Sequence, residues 1–370
     1  SSRGELDREP TRSHEAFDMS EDIYILAARR TPIGAFQGAL GGVTAPQLGA
    51  TAARAAIDDS GVSPERIDET ILGCVLMAGI GQAPARQAAL GAGVPQSVPA
   101  TTVNKMCGSA LKALMLASDQ IRAGSASIVL AGGIESMSNA PYLLPKARSG
   151  LRMGHAELID HMFFDGLQSP FDGHMMGHFA DATAKKYGFT REQQDEFAAE
   201  SVRRALGAVE SSHFDGEVAA VTVKDRKGER IVAKDETPFT CDLAKIPQLK
   251  PAFNKDGTVT AASSSSISDG AAVAVLADAR VVREMKLRPL ARVVAYTSHA
   301  QEPEWFTTAP VGAIRSVLKR AGWNVGDVDL FEINEAFACV TMAGIHDLKH
   351  DHVKVNAHAG ACALGHPYGG

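Results

Sequence analysis

The chain has 370 residues, of which 45% are hydrophobic and 22% are charged, and its net charge is −6. This balance is typical of a globular protein with a substantial core and excludes a disordered, collagen-like or rod-like chain. The lack of an uninterrupted apolar run of about 18 residues argues against a membrane-spanning helix. The negative charge argues against general nucleic-acid binding. The length favours two domains or two similar halves.

The cysteines are too few and too scattered for a disulfide framework, and none forms a C-x-x-C motif. We therefore expect reduced thiols in a cytoplasmic protein. The cysteines are Cys74, Cys107, Cys241, Cys339 and Cys362. Residues 1–21 are polar and carry several acids, unlike a secretory signal or a transit peptide, and we expect them to form a disordered extension or a tag.

Strand and helix patterns alternate along the first part of the chain. The predicted elements are strands at residues 22–27, 69–76 and 126–131 and helices at residues 44–60 and 108–123. Thr44 is the expected N-cap of the first helix and Gly61 its stop signal. Such alternation predicts a layered α/β fold.

The composition changes at residues 141–260, where Met, His, Pro, Lys and Asp become common. We interpret this segment as an insertion over the core, where binding loops tend to lie. Strand and helix patterns resume at residues 271–276, 291–295, 311–321 and 328–333. The second half thus resembles the first in its pattern, without a strict repeat.

Residues 103–112 contain the strongest candidate for a nucleophile. Cys107 precedes a predicted helix that starts with Gly108, Ser109 and Ala110. Unpaired N–H groups and the helix dipole at this end would lower the thiol pKa and favour the thiolate. Small neighbours would let an acyl group approach the sulfur. The competing interpretation is a structural cysteine at the start of a helix.

A Gly- and Ala-rich segment at residues 356–369 contains His358 and His366. His366 lies between Gly365 and Pro367, so a regular helix is excluded there and a loop base is favoured. A nucleophilic cysteine needs such a partner, although an isolated loop histidine is more often a surface residue.

Asn334 and Glu335 directly follow the strand predicted at residues 328–333. Ligands of open α/β sheets bind beyond the carboxyl ends of strands, where an Asn can orient a water or donate to an oxyanion. A helix N-cap is the alternative. Residues 79–84 lack the third glycine of a dinucleotide loop. The histidines His346, His350, His352 and His358 favour a surface loop over a metal site, and we expect no metal.

Taken together, these segments resemble the thiolases over residues 22–370. The resemblance rests on residues 30–36 (RTPIGAF), 103–112 (VNKMCGSALK), 131–138 (AGGIESMS), 334–337 (NEAF) and 365–367 (GHP). It implies a fold of five layers, α-β-α-β-α, built from two similar halves with an inserted loop domain. The implied boundaries are 22–140 with 261–279 for the first half, 141–260 for the insertion and 280–370 for the second half.

By this resemblance, Cys107 takes the acyl group, His366 activates it and helps to hold the thioester oxygen, and Asn334 positions a water. The implied substrate- and coenzyme A-lining residues are Met175, Met176, Arg226, Phe253, Ser265 and Phe337. For Arg226, a plain solvated basic turn is the alternative to a contact with coenzyme A phosphates. Tyr368 stands where the family usually has a small aliphatic residue.

The implied activity is reversible Claisen condensation of two acetyl-CoA to acetoacetyl-CoA and coenzyme A, without a cofactor, in a homodimer or homotetramer. A broader 3-oxoacyl-CoA thiolase and a non-catalytic thiolase-like subunit remain alternatives. The motif at Asn334 argues against a decarboxylating ketoacyl synthase, which usually has a histidine there. The family continues past Gly365-His-Pro with a second catalytic cysteine in Cys-x-Gly, so we expect the second half to be truncated at Gly370.

Overall fold

The protein is described from a computed structural model covering residues 22–226 and 228–370; the predicted extension at residues 1–21 lies outside the described residues. The strands in this part of the chain are β1 Ile23–Arg30, β2 Gly34–Ala35, β3 Glu69–Gly73, β4 Ala100–Val103, β5 Ile128–Ser136, β6 Tyr142–Leu143, β7 Ile159–Asp160, β8 Val221–Asp225, β9 Gly228–Val232, β10 Ser268–Asp278 and β11 Ala291–Val293. The α-helices are α1 Ala45–Ser60, α2 Pro84–Gly91, α3 Ser109–Arg122, α4 Met176–Tyr187, α5 Arg191–Glu210, α6 Ala279–Glu284, α7 Ala309–Ala321, α8 Ala338–Leu348 and α9 Ala361–Leu364. Met162–Leu167 is a π-helix.

One mixed sheet organises the described chain, with the order β11-β1-β10-β5-β3-β4 and with β2 paired to β10. The central strand β10 is antiparallel to β1 and β5, whereas β3 is parallel to both β5 and β4. The pairs β6–β7 and β8–β9 are separate two-stranded sheets. Most residues of β5 and β10 are buried and apolar, as is typical of strands covered on both faces.

Successive side chains of a strand point to opposite faces of the sheet. Both faces are apolar here, and helices cover each of them. Leu72 and Leu130 pack with α1 and α2 in one hydrophobic cluster, whereas Ile71 and Val129 pack with α3 in another. The predicted α/β layering is confirmed by this arrangement. Among the described residues, no helix combines the length and apolar character needed to cross a membrane.

The first helix begins and ends where its sequence signals predict. Thr44 is the N-cap of α1 and forms a capping box with Gln47, and Gly61 ends the helix at a φ of 72°. A left-handed residue after a helix is usually glycine because it has no Cβ. Residues 311–321, one of the segments in which strand and helix patterns resume, lie within α7.

Close packing of backbone brings the C-terminal loop onto the sheet. A Cβ atom at Gly133 of β5 would collide with the carbonyl oxygen of Gly369, and one at Gly73 of β3 would collide with Ser109. Only glycine allows another chain segment to approach a strand this closely. Because of these two contacts, the start of α3 and residues 366–369 lie against the same end of the sheet.

The strand predicted at residues 328–333 is wrong. A single parallel bridge joins Phe331 to Val355, with one backbone hydrogen bond on each side. The residues before Val355 form a 3₁₀ turn, His352–Lys354, and therefore offer no run of partners for a longer ladder. The boundaries that the resemblance implies for the two halves and the insertion remain predictions.

Arg30, at the end of β1, fastens the segment between residues 141 and 260 to the sheet. Its guanidinium donates to both carboxylate oxygens of Asp235, at 2.7 and 2.9 Å, and to Glu217 at 2.6 Å. Asp235 is only 2% exposed and also accepts the N–H of Ile33 at 2.8 Å. The pair of Arg30 and Asp235 is therefore largely buried, and each partner depends on the other.

Arg30→Ala is expected to lower the free energy of unfolding by about 3–5 kcal/mol, because it leaves the Asp235 carboxylate buried and uncompensated. The matched control is Arg203→Ala, which breaks exposed ion pairs with Glu196 and Glu200 and should cost at most about 1 kcal/mol. Urea denaturation followed by tryptophan fluorescence measures both. Equal losses in the two variants would contradict the anchoring role of Arg30.

Candidate active site

A cavity of about 460 Å³ opens beside the first turn of α3 and the C-terminal loop, with walls made mainly of Phe, Met, Leu, Ile and Pro side chains. It brings together most of the site residues that the sequence predicts. Those that line it are Cys107, Met175, Met176, Phe253, Ser265, Phe337 and His366. A mostly apolar cavity with few polar groups is the usual form of a small-molecule site.

Cys107 follows a strained turn, one residue before the N-cap of α3. Met106 has a φ of 50°, a left-handed conformation that is uncommon for a residue with a long side chain. Its N–H donates to Asn104 Oδ1 at 2.9 Å, and its carbonyl accepts from Ser109 Oγ at 2.6 Å. Ser109 Oγ also accepts the N–H of Lys105 at 2.8 Å. These bonds stabilise the turn that exposes Cys107 to the cavity.

The expected lowering of the Cys107 pKa is wrong. Burial raises the pKa of this thiol to about 11, and the negative charge of Glu135 acts in the same direction, against the opposing effect of a backbone hydrogen bond. The sulfur is accessible from the cavity, but the surrounding apolar walls disfavour a charge on it. At neutral pH Cys107 is therefore a thiol, and it needs a base in order to act as a nucleophile.

His366 and Asn334 form a polar pair in this site. Asn334 Nδ2 lies 3.3 Å from His366 Nε2; with the amide donating, Nε2 is the acceptor and the ring proton is on Nδ1. The backbone N–H of His366 donates to the backbone carbonyl of Ser266 at 3.0 Å, and this bond fixes the loop. Burial lowers the pKa of His366 to about 4, so the imidazole is neutral at pH 7. A neutral imidazole is able to accept a proton.

Glu335, next to Asn334, is structural. Its carboxylate accepts from Ser201 Oγ at 2.8 Å, Asn356 Nδ2 at 2.8 Å and the N–H of Cys362 at 3.0 Å. Burial raises the pKa of Glu335 despite these bonds. The N-cap of α8 is Phe337, so the N-cap interpretation of residues 334 and 335 does not apply.

Glu135 was not predicted as part of the site. This buried carboxylate accepts the N–H groups of Val75 at 3.0 Å and Leu76 at 3.2 Å, and a backbone hydrogen bond from Gly369 also contributes to its titration. Burial raises the pKa of Glu135 to about 7. Its sequence signal was an acid inside an otherwise apolar, glycine-containing strand. Since its charge reaches Cys107, it belongs to the electrostatics of the site.

Residues of the segment 141–260 close one side of the cavity with aromatic and thioether groups. Phe253 packs edge-to-face on Phe337, with ring centroids 5.8 Å apart. Any side chain at position 177 would collide with the Phe253 ring, so Gly177 makes room for it. Ser265 donates its N–H and hydroxyl to the carbonyl of Ala336, at 3.0 and 3.2 Å.

Arg226 is not brought to the cavity. It lies exposed in the turn between β8 and β9 and does not line the cavity. The histidines of the former candidate cluster have separate environments: His352 stacks on Phe197 and His350 contacts Phe331. Within residues 22–226 and 228–370, no group of three or more His, Cys, Asp or Glu side chains is arranged to hold a metal ion.

Proteins named acetyl-CoA acetyltransferase are similar to this chain in sequence and, in a solved structure, in fold. The acetyl-CoA acetyltransferase of Pseudomonas aeruginosa is 48% identical over 351 residues, which cover 94% of this chain and 89% of the relative. That of Cupriavidus necator is 47% identical with the same coverage. The crystal structure of the Bacillus anthracis acetyl-CoA acetyltransferase superposes with a TM-score of 0.92 at 40% identity, over 94% of this chain and 89% of that one.

Residues 23–280 match the thiolase N-terminal domain and residues 287–370 match the thiolase C-terminal domain. Together they account for nearly all of the described residues, and the segments that resembled the family lie within them. The chain therefore belongs to the thiolase family and has the thiolase fold.

Proposed function

We propose that the protein is an acetyl-CoA C-acetyltransferase, which interconverts two acetyl-CoA with acetoacetyl-CoA and coenzyme A through an acyl-cysteine. The observation that carries this proposal is that Cys107 and His366 line one apolar cavity, with Asn334 hydrogen-bonded to His366. The activities named for the relatives at 45–48% identity support the same reaction. Coenzyme A thioesters are the proposed substrates, and no cofactor is proposed.

In the proposed thiolysis, His366 Nε2 accepts the Cys107 proton and the sulfur attacks the 3-oxo carbon of acetoacetyl-CoA. The bond between C2 and C3 then breaks, the enolate of acetyl-CoA takes up the proton held by His366, acetyl-CoA leaves, and the acetyl group remains on sulfur. The sulfur of coenzyme A then attacks this thioester, and its thiol proton passes by way of His366 to the departing Cys107 sulfur, which regenerates the thiol. His366 and the Asn334 amide are placed to stabilise the thioester oxygen as it becomes negative.

The titration of the two groups supports this sequence of events. Cys107 has a pKa near 11 and His366 a pKa near 4, so both are neutral in the resting site. Proton transfer between them is unfavourable until a substrate carbonyl takes up the charge of the sulfur. The thiolate therefore forms together with the new bond to carbon.

A broader 3-oxoacyl-CoA thiolase is the second candidate. The volume of about 460 Å³ and the apolar walls of the cavity favour it, since longer acyl chains gain from apolar burial. A relative from Staphylococcus aureus, named a probable acetyl-CoA acyltransferase, is 46% identical over 94% of this chain and 89% of its own length. Rates with substrates of different chain length distinguish the two candidates.

We further propose a homodimer or homotetramer in the cytoplasm. The outer edge of β4 has no strand partner among the described residues, and Leu111 exposes an apolar side chain in the nearby first turn of α3. Unpaired edges and exposed apolar groups favour association. The cysteines are all free, which suits a reducing compartment.

The proposed activity predicts thiolysis of acetoacetyl-CoA that depends on coenzyme A and is lost by at least about 10³-fold in Cys107→Ala, because the nucleophile is removed. A spectrophotometric thiolysis assay measures it, with 3-oxooctanoyl-CoA as the longer substrate. Higher kcat/KM for the longer substrate would favour the broader thiolase. Coenzyme A binding with no turnover of either substrate would instead support a non-catalytic subunit.

Iodoacetamide is expected to alkylate Cys107 before the other cysteines, because Cys74, Cys339 and Cys362 are buried and Cys241 is half-buried. Its rate should keep rising with pH through pH 9 and 10, since the raised pKa of about 11 keeps the thiolate scarce below that range. Peptide mapping after timed labelling measures this. A plateau below pH 8 would mean that the helix start does lower the thiol pKa.

His366→Ala should slow formation of the acyl-cysteine from acetyl-CoA by about 10²-fold or more, because it removes a general base and an oxyanion donor. His358→Ala is the matched control: that histidine is exposed and packs against His213, and its loss should change the rate less than about 2-fold. Rapid quench with radiolabelled acetyl-CoA measures both. Equal rates in the two variants would refute the role of His366.

A further inference from the structure

Tyr368 is a polar side chain of the cavity that the mechanism above leaves without a role. It is only 7% exposed, and it lines the same cavity as Cys107 and His366. Its ring packs against Val75, Leu76, Met137 and Met162. A side chain at Gly166 would meet the edge of the ring at 3.2 Å. The ring is therefore held from several sides, and its position is fixed.

The hydroxyl of Tyr368 differs from the other hydroxyls of the cavity wall. Ser264 donates to the carbonyl of Thr260 at 2.7 Å, and Ser265 donates to the carbonyl of Ala336 at 3.2 Å. Ser169 is bonded to Asp172. For Tyr368, no group among residues 22–226 and 228–370 forms a hydrogen bond with the hydroxyl. The hydroxyl is also not one of the buried side-chain atoms that lack a partner, so it remains accessible to a hydrogen-bonding group. A ligand in the cavity is the natural partner.

The position of Tyr368 indicates which atom of the ligand accepts a hydrogen bond from its hydroxyl. Its ring centroid is 5.1 Å from that of His366, and it lies near enough to Cys107 for charge on that sulfur to raise the tyrosine pKa, in addition to the larger effect of burial. A 3-oxoacyl thioester has two carbonyl oxygens separated by one methylene, whereas a saturated acyl thioester has one. In the proposed reaction His366 and Asn334 serve the thioester oxygen, and Cys107 must reach the 3-oxo carbon.

We propose that the Tyr368 hydroxyl donates a hydrogen bond to the 3-oxo oxygen of the bound substrate and makes the site selective for 3-oxoacyl over saturated acyl thioesters. This inference rests on the proposed function, because it assumes that the cavity binds coenzyme A thioesters. The phenylalanine ring of a Tyr368→Phe variant would keep all the packing contacts and remove only the donor. The Tyr368→Phe substitution should therefore weaken the binding only of ligands that carry the 3-oxo oxygen.

Binding is measured by calorimetry in a Cys107→Ala background, which prevents turnover. The two ligands are acetoacetyl-CoA and butyryl-CoA, which have acyl chains of equal carbon number and differ in the 3-oxo oxygen. Adding Tyr368→Phe should weaken acetoacetyl-CoA about 3- to 10-fold, the value of one neutral hydrogen bond, and leave butyryl-CoA unchanged. Tyr142→Phe, in an exposed tyrosine away from the cavity, is the matched control and should change neither affinity.

An equal weakening of both ligands, or of neither, would overturn the role of the Tyr368 hydroxyl while leaving the proposed function standing. Failure of the Cys107→Ala protein itself to bind either thioester would overturn the proposed function, and this inference with it. The thermal midpoint of each variant shows whether a loss of affinity reflects loss of folded protein.

Discussion

The carboxylate of Glu135 is the interaction on which the geometry of the site depends. It is buried at the end of the central strand β5 and binds backbone N–H groups at residues 75, 76 and 369. Those groups belong to the loop after β3 and to the C-terminal loop that carries His366. A charge on a buried carboxylate requires such donors, because an unpaired buried charge is costly. Glu135 is therefore a common polar partner of the two loops.

Glu335 organises the other side of the site by the same physical means. It joins α5, through Ser201, to the segment around Asn356 and to the first turn of α9. The helix α9 leads directly into His366, and Asn334 precedes Glu335. The position of the His366–Asn334 pair thus depends on the buried Glu335. The position of the C-terminal loop relative to the loop after β3 depends on the buried Glu135. Buried acids of this kind specify a unique arrangement only when all their bonds are made.

The parts of the fold that local rules control could be predicted from the sequence. Thr44 and Gly61 set the ends of α1, and apolar runs marked β1, β3, β5 and β10, because caps and burial periodicity depend on few neighbours. The segment at residues 328–333 has the same apolar character, but it lacks a run of backbone partners, which only tertiary structure reveals. Cys107 and His366 were predicted as site residues from their loop contexts, and the structure brings both to one cavity. The effect of the cavity walls on the Cys107 pKa was not, since it depends on residues from distant segments.

The apolar walls shift the pKa values of Cys107 and His366, the two proposed reacting groups, in opposite directions and favour the neutral form of each. They raise the pKa of the Cys107 thiol and lower that of His366, so both neutral forms are favoured. A preformed thiolate–imidazolium pair would react with any electrophile that reached it. A neutral pair instead requires a carbonyl that accepts negative charge as the proton leaves the sulfur, and that carbonyl must be held by the few donors present. Selectivity and reactivity therefore have the same origin: the scarcity of polar groups around Cys107 makes the correctly placed substrate oxygen a condition of the reaction.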